Sequence, residues 1–138
     1  MMSNDINMTP NRPYLARAIY EWIIDNNLTP HIMVDATQDN VMVPQQFVQN
    51  GQIVLNIAPH ATHQFEITNH AITFSARFGG VAHNLYIPMP ALLGIYAREN
   101  GMGLFFDPNE YKDVEFIDKE IQPSEEAPKR NSKLSFVD

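Results

Sequence analysis

Histidines and carboxylates are the first residues of this 138-residue chain that invite a chemical reading. His60 and His63 stand three apart, and Glu66 follows three later. Imidazole and carboxylate groups are the usual ligands of a divalent cation when they converge. Here the segment reads as a loop running into a strand, not as one helical face, so a solvated loop is expected. Asp35 and Asp39 could be imagined as an acid/base pair. They flank a turn, where Asp side chains cap backbone groups instead. The common signatures are absent: no G-x-S-x-G elbow, no H-E-x-x-H helix, no Walker loop and no G-x-G-x-x-G. Gly101-Met102-Gly103 runs straight into LFF and reads as a helix cap and turn. The chain has no cysteine, which excludes disulfides, thiolate zinc sites and thiol catalysis. No catalytic, metal-binding or cofactor-binding set is expected, and the chain reads as a binding protein.

Two segments carry the binding chemistry. The first is SARFGG, Ser75 to Gly80. Arg77 is one of only four cations before residue 107, and it stands beside Phe78 and two glycines. Glycine lets another backbone approach closely. A guanidinium beside an aromatic ring and an open strand edge suits an acidic, extended peptide. An ordinary hairpin with a surface arginine is the plainer alternative. The second segment is the C-terminal KRNSKLSFVD. Between Asp107 and Pro128 eight acids face two lysines, a local charge of −6. Such a stretch buries too little apolar surface to offset its ordering entropy and is expected to stay disordered. Leu134, Phe136 and Val137, with Lys129 and Arg130 upstream, then form a basic and apolar island that suits a partner protein.

Charge and composition set the remaining bounds. Residues 1–106 carry four arginines against seven acids, and no lysine precedes Lys112. Phosphate backbones require clustered cations, so nucleic acid is not an expected partner. The N-terminus lacks the pattern of a signal peptide, and no apolar run is long enough to span a bilayer, so a cytoplasmic protein is expected. One domain of about 105–115 residues remains once the tail is set aside.

The elements that must position these residues follow from periodicity. Thr9-Pro10-Asn11-Arg12-Pro13 is a helix start. Leu15, Ala18, Ile19, Trp22 and Ile23 form one apolar face; Tyr14, Ala16, Tyr20 and Ile24 fall partly outside it. That excess implies either a deeply sunk helix or a second contact face for a two-fold dimer. HIMVDA, VMV, QIVLNI, HQFEIT, AITFSARF and VAHNLYIP read as strands. Asn50-Gly51, Asn69-His70 and Gly79-Gly80 read as turns. Pro44 places VMVP at an edge or a strand end. ALLGIYAREN is predicted as a short second helix capped by Gly101, and MGLFF as a last strand. The fold class is mainly β with α: a small, strongly bent sheet or barrel with an N-terminal helix.

The same segments carry a family resemblance. RPYLARAIYEWIIDNNLTPHIMVDAT, GQIVLNIAP, ARFGG and IYARENG, together with Val43-Pro44, resemble the stringent starvation protein B family (SspB) in order, across most of residues 12–108. The resemblance implies a protease adaptor, not an enzyme. The family binds the ssrA degradation tag of ribosome-rescued products and hands them to the ClpXP protease. It implies a small Sm-like β-barrel, with the helix within 12–27 forming a homodimer through Tyr14, Arg17, Ala18 and Tyr20. It implies a peptide groove walled by Phe47, Ala58, Ala61, Ala76, Arg77 and Phe78, with Phe47 where close relatives carry Tyr. Residues 1–11 would be a flexible start, 109–128 an acidic linker, and 129–138 a motif docking on the ClpX N-terminal domain through Arg130, Leu134, Phe136 and Val137. An RNA-binding Sm-like barrel is the rival reading, which the cation-poor core disfavours.

Overall fold

The computed structural model describes residues 8–112. Residues 1–7 and 113–138, and with them Arg130, Leu134, Phe136 and Val137, lie outside the described residues. One helix, α1 (Arg12–Asp25), begins with Pro13 in its first turn, where a missing N–H costs nothing. It closes at Asn27, which takes φ 61°, with Leu28 N–H on Ile23 O (3.1 Å) and Asn27 N–H on Ile24 O (2.9 Å). This is the left-handed C-terminal closure that Asn tolerates better than most residues.

Seven strands follow: β1 (Pro30–Asp35), β2 (Gln52–Asn56), β3 (His63–Ile67), β4 (Ala71–Phe78), β5 (Val81–Pro88), β6 (Leu92–Ala97) and β7 (Gly103–Phe105). They form two antiparallel sheets, ordered β2-β1-β6-β7 and β3-β4-β5. The sheets bend around a common core and do not close into a barrel. Alternation sets the inward faces: Ile32 and Val34 of β1, Ile53 and Leu55 of β2, and Ile72 and Phe74 of β4 are buried. Each fully buried aliphatic side chain of this kind contributes about 1.5–3 kcal/mol. Asn50 and Gly51, at φ 54° and 77°, make the two-residue turn read from the sequence, and Gln49 and Gln52 exchange both backbone hydrogen bonds at 2.9 Å. Gly79 and Gly80, at φ 60° and 83°, do the same between β4 and β5.

Three expectations are corrected. ALLGIYAREN is not a helix: a 3-10 turn at Met89–Ala91 leads into β6, which pairs with β1 on one side and β7 on the other. Its apolar residues satisfy both periods, and two flanking ladders decide for the strand. Gly101, at φ 73°, serves the turn into β7, its N–H on Ala97 O at 2.8 Å. VMV is a single bridge, not a strand: Met42 and Tyr86 exchange hydrogen bonds of 2.9 and 3.0 Å along β5, and Pro44 follows. The apolar stripe of α1 also divides. Ala16 and Ile23 are buried and Ile19 and Tyr20 pack on the core, whereas Leu15, Ala18 and Trp22 face outward. A helix apolar on most sides has no single face that periodicity can choose.

Contacts outside the helix set its rotation. Arg12 is only 2% exposed. Its Nη1 donates to Met89 O and Leu92 O (3.0 Å each), its Nη2 to Asp107 O (2.8 Å) and its Nε to the Glu110 carboxylate (3.0 Å). The guanidinium also lies 5.0 Å from the Phe106 ring centre and 4.8 Å from that of Tyr111, a cation held between aromatic faces. Burial pushes the Tyr111 hydroxyl up to about 12. At the other flank Tyr20 stacks on Phe65, centroids 4.8 Å apart. The first residues of the acidic stretch, Asp107 to Tyr111, are therefore folded against the start of α1.

Candidate functional site

The β4–β5 hairpin is longer than its neighbour. β4 pairs with β5 throughout, from Ala71↔Pro88 to Phe78↔Val81, while β3 begins at His63↔Ser75. Beyond Ser75, among the described residues, no strand pairs with β4 on the side away from β5. Phe78 and Val81 bracket a two-residue turn, so they form a hydrogen-bonded pair, and so do Ala76 and His83. The N–H and C=O of Arg77 therefore point the other way, outward from the open edge. One more extended segment can add there through main-chain bonds.

Side chains around this edge divide by the strand pleat. Ala76 and Phe78 share the core-side face with His83 and Val81 of β5. Phe47 ends the 3-10 turn Gln45–Phe47 and remains 46% exposed. Its ring meets Phe78 at 5.5 Å, tilted by 36°, and Phe78 meets the His83 ring edge-on at 5.6 Å and 81°. The outcome is an apolar, partly open aromatic corner at the hairpin tip, with exposed Val81 beside it.

Of the six residues expected in the groove, Phe47 and Phe78 are in contact. Arg77 is exposed on the opposite face of β4, its Nη1 turned back to Gly80 O at 3.0 Å. Ala58 and Ala76 are buried, so what they offer is absence of bulk beneath the surface. Ala61 ends the 3-10 turn Pro59–Ala61, just before β3 starts, and is half-buried. That turn is closed by Ala61 N–H on Ala58 O (2.9 Å) and by the buried Thr62 hydroxyl on the same oxygen (3.2 Å). His83 was not singled out in the sequence. Its only signal there was its place opposite Ala76 if the Gly79-Gly80 turn has two residues.

The residues expected at the two-fold contact divide likewise. Tyr14 and Ala18 are exposed, continuous with Leu15 and Trp22. Arg17 donates to Ile67 O (3.1 Å) and Asn69 Oδ1 (2.9 Å), and Tyr20 is the partner of Phe65. Burial raises the Tyr20 hydroxyl above its ordinary value.

Of the remaining chemical candidates, Asp35 has structural partners. Burial would raise the Asp35 carboxyl, but the Thr37 hydroxyl and N–H and the Gln38 amide outweigh it and hold it below its ordinary value. Asp35 thus caps its own turn. Asp39 lines a cavity of about 400 Å³ with Pro88, Pro90, Tyr111 and Lys112, which includes none of the six expected groove residues. Among the described residues, no three His, Asp or Glu side chains are grouped as a metal site would require. Nor is any helix among them long and apolar enough to cross a membrane.

A profile described as Stringent starvation protein B matches residues 10–135. A Haemophilus influenzae protein described as a stringent starvation protein B homolog is 51% identical over 120 residues, 87% of this chain and 77% of that relative. The matched region takes in α1, both sheets and the Gly79-Gly80 hairpin, so on sequence and on extent alike this chain belongs to the stringent starvation protein B family.

Proposed function

We propose that the chain is a protease adaptor without catalytic activity of its own, which binds the ssrA degradation tag and delivers tagged polypeptides to ClpXP. The observation that carries the reading is the open edge of β4 beside the Phe47–Phe78 corner. An extended tag pairs its backbone with Arg77 N–H and C=O, and sets one apolar or aromatic side chain against Phe47 and Phe78. The Arg77 guanidinium, released from Gly80 O, meets an acidic side chain on the other face. Main-chain pairing supplies affinity and the alternate side chains supply selection. Family membership supports the same reading.

Delivery is tethering. Residues 129–138 dock on the ClpX N-terminal domain through Arg130, Leu134, Phe136 and Val137, and the acidic stretch before them links that motif to the core. Such a link raises the effective concentration of bound cargo to the order of millimolar, so two modest contacts combine into strong delivery. The outward stripe of Tyr14, Leu15, Ala18 and Trp22 forms a homodimer, which places two tails on one assembly. The whole operates in the cytoplasm.

Titration of a fluorescent ssrA-tag peptide against the full chain and against a chain ending at Pro128 tests both halves. Equal peptide affinity is expected, with accelerated ClpXP degradation of a tagged substrate by the full chain alone. Arg77→Ala is expected to weaken binding about 10-fold, the scale of one charge-assisted hydrogen bond. Absence of peptide binding by the full chain refutes tag recognition. Undiminished delivery by the truncated chain refutes the tail's role.

A further inference from the structure

We infer that His83 is a groove residue whose protonation couples binding of an acidic extended peptide to pH, an inference that rests on the tag-binding reading above. His83 is fixed by its pairing with Ala76 and by its edge-on contact with Phe78, 5.6 Å between ring centres. It shares the face of the hairpin that carries Phe78, while the permanent cation of this region, Arg77, lies on the opposite face and is turned toward Gly80. Among the described residues, the aromatic corner therefore has no fixed positive charge on its own side. The segment carrying Phe47 brings Gln45 and Gln46 but no charge. Among the other titratable groups near the open edge, His60 is exposed in the turn before β3, and His63 and Glu66 are exposed on β3, with His63 opposite Ser75 and so on the Arg77 face.

The chemistry follows from the half-buried position of His83 beside an apolar ring. Histidine is the side chain whose charge changes between pH 5 and 8. A peptide carboxylate brought beside it favours the imidazolium, and binding then takes up a proton. Affinity must rise as pH falls. A coupling of one pH unit between protonation and binding sets a tenfold limit on the gain, so a strengthening of about fourfold is expected between pH 7.5 and 6.0. A neutral peptide produces no such gain.

Fluorescence anisotropy of the ssrA-tag peptide with the full chain, at constant ionic strength from pH 8.0 to 5.5, provides the test. The wild type should bind about fourfold more tightly at pH 6.0 than at 7.5. His83→Gln should flatten the profile at the weaker level, and His83→Arg should flatten it at the tighter level. His60→Gln combined with His63→Gln should leave the wild-type slope intact. A peptide with its acids replaced by amides should show no slope. A wild-type profile that is flat while binding persists overturns the role of His83 and leaves the tag-binding reading standing. So does a slope that survives His83→Gln or disappears with the His60/His63 pair. No binding at any pH overturns both.

Discussion

Replacing Arg12 with methionine keeps an apolar stem of similar length and removes the guanidinium. Four hydrogen bonds are lost, to Met89 O, Leu92 O, Asp107 O and Glu110. Bonds to a charged group contribute about 1.5–3 kcal/mol each when isolated, but these four are not equal. The Glu110 side chain is 26% exposed, so water replaces much of what its carboxylate loses. Met89 O keeps the N–H of Leu92 as a second partner. Leu92 O, whose bond is buried, and the loss of the cation between Phe106 and Tyr111 dominate, for a total of about 3–5 kcal/mol. For a domain of this size that lowers Tm by at least about 12 °C. Glu110→Gln, by contrast, should cost at most about 1 kcal/mol, because its side of the pair is partly solvated. Urea unfolding followed by far-UV circular dichroism measures both, with protein concentration held constant because association would add to apparent stability. A methionine variant within about 1 kcal/mol of the wild type would refute the buried-clamp argument. A Glu110→Gln loss as large as that of Arg12→Met would place the energy in the ion pair instead.

Three further outcomes are expected. Ala18→Glu sets a carboxylate in the middle of the outward stripe of α1 and should give monomers by sedimentation velocity at micromolar concentration, since an unpaired charge is costly to bury; dimers that persist would point to another surface. The Thr29 N–H and hydroxyl, with help from Arg98, hold the Glu99 carboxyl at about 2, below its ordinary 4.5. That stabilisation is complete above about pH 4.5 and is lost as pH falls toward 2, so the Tm gap between wild type and Glu99→Gln should narrow through that window; a constant gap would exclude the linkage. A Cβ at Gly94 would stand 2.4 Å from the Phe105 ring, so Gly94→Ala should displace that ring and destabilise by about 1–2 kcal/mol, with the loss removed by Phe105→Ala in a double-mutant cycle.

Much of the site is legible in the order of residues. Gly79-Gly80 announces a tight hairpin, and the family resemblance singles out Phe47 and, within ARFGG, Phe78, whose rings meet. The division of that site by the pleat is not legible in the same way. Arg77 and Phe78 are neighbours in sequence and therefore face opposite ways on a strand. Whether that matters depends on where β3 begins, which is set by pairing with a distant segment. His83 escapes notice for a related reason, since its contact with Phe78 crosses the hairpin. Arg12 reads as part of a helix start because nothing local reveals a partner 98 residues away.

The sequence by itself determined the local geometry. Asn50-Gly51 and Gly79-Gly80 specify their turns because few other residues accept positive φ, Pro13 and Asn27 bracket α1, and alternation marks most of the strands. Family membership was likewise legible in residue order. Only the tertiary structure decided which side of α1 faces the core, that ALLGIYAREN pairs between two strands and does not coil, and that β4 outruns β3 to leave Arg77 at an open edge. Each of these is a choice between local conformations of similar energy, and contacts with distant parts of the chain, such as those of Arg12, Phe65 and Phe105, settle it.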